Sequence, residues 1–349
     1  MKNFFYWGFL LITFCSFGQV AGSVHDEYIM ANEFPERLSD FQFFQDMSSQ
    51  TPSNRVIPYE LTSSLFSDYT KKKRFIYIPD KLAAKYRINS SYEFPVGSAL
   101  IKTFYYNEDE RNIDSQIQLL ETRLLLKKSD GWDAASYVWN EKQNEALLKV
   151  AGATINTSWF DQHGEQMNVR YRVPNKNQCQ ECHESNKNIV PIGPKALNLN
   201  KIIRHPTSKM EINQLDYWLE RGIIDRYPDL IDSVVNWEEE SHSLDERARS
   251  YLAINCGHCH TAGGNGASSG LYLNFTESRP TQLGILKKPV AAGRGSGGHL
   301  YSIMPGKPDE SILLYRMRSN DPGIMMPESG RSLAHEEGIL LIQQWIEAM

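Results

Sequence analysis

Cys179-Gln180-Glu181-Cys182-His183, and again Cys256-Gly257-His258-Cys259-His260, are the two stretches on which the reading of this chain turns. Four of its five cysteines fall in them, each pair split by two residues and followed at once by histidine. A thioredoxin-type dithiol would open a helix within a βαβ pattern, and neither motif does. A zinc site built from both pairs would want them close together, whereas a long segment with the look of folded structure separates Cys182 from Cys256. Two plain disulfides leave the paired histidines without a role. C-x-x-C-H is instead the attachment signature of c-type haem. Two thiols one helical turn apart each add to a vinyl group on one porphyrin edge, and the next histidine reaches the iron. The expected cofactors are two covalently bound haem c groups. Cys179, Cys182, Cys256 and Cys259 would attach them, and His183 and His260 would ligate the irons.

The N-terminus agrees with that chemistry. Lys2 gives a positive start, Phe4 to Phe17 is mostly apolar, and small residues follow at Gly18, Ala21 and Gly22. This reads as a signal peptide over residues 1–22, too short for a comfortable membrane span. Phe14 is bulky where a lipobox wants a small residue before Cys15, so Cys15 is expected to leave with the signal. The expected compartment is the periplasm, with no transmembrane segment in the mature chain.

With 349 residues, there is material for two or three domains. The composition, 41% apolar and 23% charged, is that of a globular protein. A net charge of −5 gives no electrostatic support for binding nucleic acid.

From about residue 238 the pattern is that of a small helical haem domain. Ser243 and Glu246 form a capping box, and Leu244, Ala248, Tyr251 and Leu252 follow at helical spacing, so a helix should run straight into Cys256. Gly263, Gly264, Gly266 and Gly270 mark a loop, and His335 to Ile346 a closing helix packed through Leu340, Leu341, Trp345 and Ile346. Between them lies Met325-Met326-Pro327. Met326 is the expected sixth ligand of the second iron; Met325 is the fallback, ahead of Met304 and Met317. His258, inside the motif, is read as solvent-facing, and His299, after a glycine run, as a mobile loop histidine.

Residues 23–178 read differently. Phe75–Ile78, Ala99–Tyr106, Gln118–Leu126, Tyr137–Trp139 and Val169–Val173 are short apolar or alternating runs, with hairpin turns at Asp130-Gly131 and His163-Gly164. The run Leu119–Lys127 fits helix or strand equally. The expected fold class is α+β: a β-rich domain over 23–178 that ends in one haem motif, a first haem-binding segment with a helical extension over 179–237, and an all-α cytochrome c-like domain over 238–349. A helix is expected over about Glu211–Gly222. The sixth ligand of the first iron has no motif; His163, His205 and Met210 are the candidates, or the position is open.

Three resemblances add to this. Met304-Pro305-Gly306-Lys307-Pro308-Asp309-Glu310-Ser311, Leu314-Tyr315-Arg316 and Met326-Pro327-Glu328-Ser329-Gly330 resemble the haem domain of planctomycete-type c-type cytochromes, whose methionine before proline is the distal ligand; this implies Met326. Val56-Ile57-Pro58-Tyr59-Glu60, Leu65-Phe66-Ser67-Asp68-Tyr69, Phe94-Pro95-Val96-Gly97, Tyr137-Val138-Trp139-Asn140, Val173-Pro174-Asn175-Lys176-Asn177-Gln178, Pro191-Ile192-Gly193-Pro194-Lys195 and Gln214-Leu215-Asp216-Tyr217-Trp218 resemble a largely uncharacterised family of bacterial dihaem c-type cytochromes across nearly the whole mature chain. More weakly, Phe94-Pro95-x-Gly97 and Lys102 before a single C-x-x-C-H are similar to the β-sheet cytochromes of the c-prime-beta and hydroxylamine-oxidising type. Some of those cross-link a lysine to haem, and a strand lysine such as Lys102 is more commonly a solvated residue.

The expected function is electron transfer between a periplasmic donor and acceptor, a redox protein or an oxidoreductase. The alternative is a haem enzyme or gas-binding protein with an open first site, acting on hydroxylamine, nitric oxide or peroxide. An electron carrier is the expectation over a catalyst.

Overall fold

A computed structural model describes residues 23–349; the expected signal over 1–22 lies outside the described residues. The described chain opens on a short helix, α1 (Asp26–Met30), and a small hairpin of β1 (Phe44–Asp46) and β2 (Thr51–Pro52). There follow six antiparallel strands paired in chain order: β3 (Val56–Pro58), β4 (Lys71–Tyr77), β5 (Ala99–Asn107), β6 (Ile117–Lys128), β7 (Gly131–Trp139) and β8 (Ala146–Leu148). The turn expected at Asp130-Gly131 joins β6 to β7, with Lys128 opposite Gly131.

Side chains alternate between the two faces of a strand, and here both faces are covered. One face carries Phe75, Tyr77, Ala99, Ile101, Leu124, Leu126, Ala135 and Tyr137 into a core with Ile29, Leu38, Phe41 and Phe44. This double burial explains why Leu119–Lys127 could not be assigned from its period: a strand buried on both faces reads as a continuous apolar run.

The opposite face has three zones. At one end Ile76, Leu100 and Leu125 meet the segment around Leu199, Leu215 and Trp218. At the other, Phe104 and Tyr106 pack on the hairpin of β9 (Ala153–Phe160) and β10 (Gln166–Val173), which turns at Gly164 as expected. Between these zones lies a polar row. Arg74 on β4 is opposite Lys102 on β5, Lys102 is opposite Arg123 on β6, and Arg123 is opposite Ser136 on β7.

After β10 come α2 (Lys176–His183), the small hairpin β11 (Glu184–Ser185) and β12 (Asn188–Ile189), α3 (Ala196–Leu199), the hairpin β13 (Ile202–Arg204) and β14 (Glu211–Asn213), and α4 (Gln214–Glu220). The helix expected from Glu211 therefore starts later. Glu211–Asn213 pair with Ile202–Arg204, and the Asn213 side chain accepts from Leu215 N at 2.8 Å to begin α4. From there on, the described helices are α5 (Leu244–Asn255), α6 (Pro280–Leu283), α7 (Ile312–Arg318) and α8 (Glu336–Glu347). The capping box at Ser243 and Glu246 is present. Closing helix α8 packs through Ile339, Leu341, Ile342, Trp345 and Ile346. Leu340, expected on that face, is 53% exposed, because at 3.6 residues per turn it falls on the side of the helix opposite to Ile342 and Trp345.

The mixed α and β architecture with a β-rich first part is as expected. The two halves are stitched together: Phe66 N donates to Asn255 Oδ1 at 2.8 Å, and the Phe66 ring stacks on His335 at 4.0 Å. Among the described residues no helix is long and apolar enough to cross a membrane.

Candidate functional site

Asn175 starts α2 with a reciprocal cap. Its side chain accepts from Gln178 N, and the Gln178 side chain accepts from Asn175 N, both at 3.0 Å. Cys179, Cys182 and His183 then fall at i, i+3 and i+4, on one face of the helix. His183 Nδ1 lies 2.8 Å from the Val190 carbonyl. A carbonyl only accepts, so Nδ1 carries the proton and Nε2 is left with a free lone pair.

The second motif leaves α5 as a tight turn, with Cys259 N and His260 N donating to Cys256 O at 3.1 and 2.9 Å. Glycine is required inside it: a Cβ on Gly257 would stand 2.7 Å from Ala253 O and 2.8 Å from Leu273 O. His260 Nδ1 lies 3.1 Å from Ser269 Oγ, whose own proton goes to Gly266 O at 2.6 Å, so this Nδ1 donates as well. Gly266 lets the loop close on the imidazole, since a Cβ there would lie 3.0 Å from Nδ1. Burial pulls both histidines down to about 4, which keeps them in the neutral form that can bind a metal.

Both motifs open onto one cavity of about 880 Å³. That is near the upper end of the roughly 300–1,000 Å³ usual for a cofactor pocket. The motifs also touch each other. Asn186 N donates to Gly263 O at 2.8 Å, and the Cys259 thiol donates to Glu181 O at 3.8 Å. The neighbouring Cys259 thiol holds Cys182 well below its usual value, and Cys182 in turn raises Cys259. Cys179, Cys182, Cys256 and Cys259 are all free thiols. Among the described residues no three His, Cys, Asp or Glu side chains converge as a metal centre. A haem iron, with four bonds from its porphyrin, needs no such cluster.

Of the methionines, Met317, Met325 and Met326 line the cavity. Met317 and Met325 are buried, and Met304 stays outside the lining. The loop bearing Met326 is tied down by its backbone: Met326 N donates to Arg316 O at 3.0 Å. Arg331, 5% exposed, donates to Met326 O at 3.0 Å, Ser319 O at 2.7 Å and Met317 O at 3.2 Å. Sequence reasoning missed Arg331; its only signal was a buried-size cation directly after the Met-Pro-x-x-Gly run.

Other expectations fall away from the site. His163 sits exposed in the β9–β10 turn, Met210 is 71% exposed, and His205 Nδ1 is used within the β13–β14 turn, accepting from Thr207 N and Ser208 N. None of the three lines the cavity. His299 packs against Tyr315 and also lies outside it. His258, read as solvent-facing, instead lines the cavity beside Cys182, with Nδ1 buried and unpartnered among the described residues. The turn after α5 rolls it inward. Lys102, read as a surface lysine, also lines the cavity, with Arg74 and Arg123.

The residues present suit haem c: paired thiols, imidazoles with Nδ1 anchored, a methionine loop, and one roomy cavity lined by all of them except Cys259, whose thiol lies at Glu181 O beside the first motif. Comparisons of the chain with protein-family models, with curated proteins and with solved structures return no match.

Proposed function

We propose that this chain is a dihaem c-type cytochrome that passes electrons between periplasmic redox partners. The observation that carries the reading is the meeting of two C-x-x-C-H motifs, remote in sequence, on one cavity that also receives Met326. In this reading Cys179 and Cys182 would attach one haem, and Cys256 and Cys259 the other. His183 and His260 would ligate the irons through Nε2, their Nδ1 atoms being held by Val190 O and Ser269 Oγ. Met326 would offer its sulfur to the second iron, and Arg331 holds the loop that carries it. Haem c, when bound, supplies a one-electron couple at iron whose potential follows the axial ligands and burial. The resemblance of most of the chain to bacterial dihaem cytochromes points the same way, and residues 238–349 would be the cytochrome c-like unit. The contact between Glu181 and Cys259 supports short passage from one site to the other inside a single chain.

The test is to co-express the full chain with haem-attachment machinery, count covalent haems by mass, and record oxidised, reduced and carbon monoxide-treated reduced spectra. Two covalent haems, low-spin and indifferent to carbon monoxide, are expected for an electron carrier. An absence of covalent haem despite competent maturation would refute the reading. One carbon monoxide-binding haem would move the function to catalysis or gas binding at an open first site.

A further inference from the structure

We propose that the ε-amine of Lys102 is the sixth ligand of the first haem iron, the one whose fifth ligand is His183. The inference rests on the dihaem reading above and fills the position that His163, His205 and Met210 cannot reach.

Strand geometry places the residue. On β5 the side chains of Leu100, Lys102 and Phe104 share one face. Leu100 is covered by the core around Trp218, and Phe104 by the β9–β10 hairpin. Lys102 lies in the gap between these two covered zones, where the sheet forms a wall of the cavity. His183 lines the same cavity.

The amine has nothing else to do there. Among the described residues Lys102 makes no hydrogen bond and no ion pair; its nitrogen lies 4.6 Å from the centre of the Phe104 ring. Its cross-strand neighbours are Arg74 on one side and Arg123 on the other. Like charges directly opposite on a sheet repel. Glu121 neutralises only Arg123, which it binds at 2.5 and 3.0 Å. A charged amine in this row would be the third cation in line, facing a cavity and without a carboxylate of its own.

Burial, then Arg74, Lys72 and Arg123, pull the Lys102 amine well below its usual value, with Glu121 opposing. A lysine is the cation that can escape such a place by giving up its proton, which an arginine beside it cannot do. The neutral amine then carries a lone pair. Ligation would balance simply: the ammonium proton would leave to solvent, the nitrogen would donate its lone pair to the iron, and no oxidation state would change. Of the other donors on the cavity, His335 bonds the Tyr251 hydroxyl and stacks on Phe66, and Met326 belongs to the loop tied to Arg316. His258, Met317, Met325 and Lys195 line it too, but Lys102 is the one set in the sheet between two arginines.

The experiment uses the full chain matured with haem, as wild type and as K102A, K102R and K102M, with covalent haem counted in every sample. Spin state is read by optical and electron paramagnetic resonance spectra, and carbon monoxide uptake by the reduced form. The wild type should hold two low-spin haems and take up no carbon monoxide. K102A should keep both covalent haems, turn one of them high-spin and take up one equivalent per chain. K102R should behave as K102A, because arginine keeps the cation without ligating; this separates ligation from charge. Should K102A fail to load, K102M decides: one altered axial signature supports the proposal, and two unchanged haems overturn it. Two unchanged low-spin haems in K102A overturn the proposal and leave the dihaem reading intact. So does a wild type with one carbon monoxide-binding haem, or a peptide map that finds Lys102 covalently joined to porphyrin. No covalent haem in the wild type would take down both.

Discussion

Asp68 and Leu333 stand 265 positions apart and are joined by a hydrogen bond of 2.8 Å from the Leu333 amide to Asp68 Oδ1. The Ser332 amide donates to the same oxygen at 2.7 Å. Asp68 is 3% exposed, so one buried carboxylate from the chain leading into the sheet fastens the loop just after the Met326 segment. Replacing it with alanine leaves two amides unanswered, at a cost of about 1–3 kcal/mol each. We expect Asp68→Ala to lose roughly 2–6 kcal/mol in denaturant unfolding, and Asp68→Asn, which keeps an acceptor, clearly less. A loss within experimental error for Asp68→Ala would show that the halves do not depend on this contact.

Glu121 is fully buried and is gripped by Arg123 at 2.5 Å and by the Tyr171 hydroxyl at 2.5 Å. Glu121→Ala leaves a guanidinium in the cavity wall with no counter-ion. Breaking such a pair costs about 3–5 kcal/mol. The double variant Glu121→Ala/Arg123→Met should recover much of that loss. If the single and double variants unfold alike, the pairing is not what holds Arg123.

Arg331 donates to five backbone carbonyls, those of Arg316, Met317, Ser319, Met326 and Leu333. Lysine has one nitrogen where arginine presents a planar fork, so Arg331→Lys cannot reach them all. We expect a loss of about 2–4 kcal/mol and a second haem that takes up carbon monoxide while Met326 itself is unchanged. Normal carbon monoxide resistance in that variant would mean the loop holds its place without the clamp.

Met326 and Met325 are adjacent and both line the cavity, and their substitutions should part company. Met326→Ala should open the second iron to carbon monoxide and lower its potential by on the order of 0.1 V, part of the roughly 0.8 V that axial ligands span. Met325→Ala should leave the spectrum alone and cost about 2–5 kcal/mol as a core truncation. An exchange of these two outcomes would assign the ligand to Met325.

His335 is pulled down to about 3 from an ordinary 6.5, by burial first and then by the Lys72 and Arg331 charges. Between those two values the unfolded chain holds a proton that the folded chain refuses, so stability falls as the pH drops from about 6.5 towards 3. The slope contributed is at most about 1.4 kcal/mol per pH unit. His335→Phe, which can keep the stack on Phe66, should flatten the curve between pH 6 and 4 by up to that amount. An unaltered slope would place the acid sensitivity elsewhere.

Much of this was legible from residue order alone, wherever the signal was local. The Ser243 capping box and the Asp130-Gly131 turn each depend on residues within a few positions of one another, and each lies where it was expected. Helix boundaries were read less well where a rival pairing existed. Glu211–Asn213 joined a strand because Ile202–Arg204 was available to pair with it, and no helical period reports that.

What the amino-acid order determined by itself is the chemistry available: four cysteines and two histidines in two C-x-x-C-H motifs, a methionine before proline, and a β-rich first part. What only the tertiary structure decided is which of these groups share a cavity. Strand alternation offers Lys102 two faces, and which face meets a cavity depends on the register of β4, β5 and β6 and on what covers their ends. The same is true of Arg331 and Asp68, whose partners lie on other elements or hundreds of residues away. Local pattern is set by backbone geometry over a few residues, whereas convergence on a site is set by the packing of surfaces remote in the chain, and that information exists only once the chain has folded.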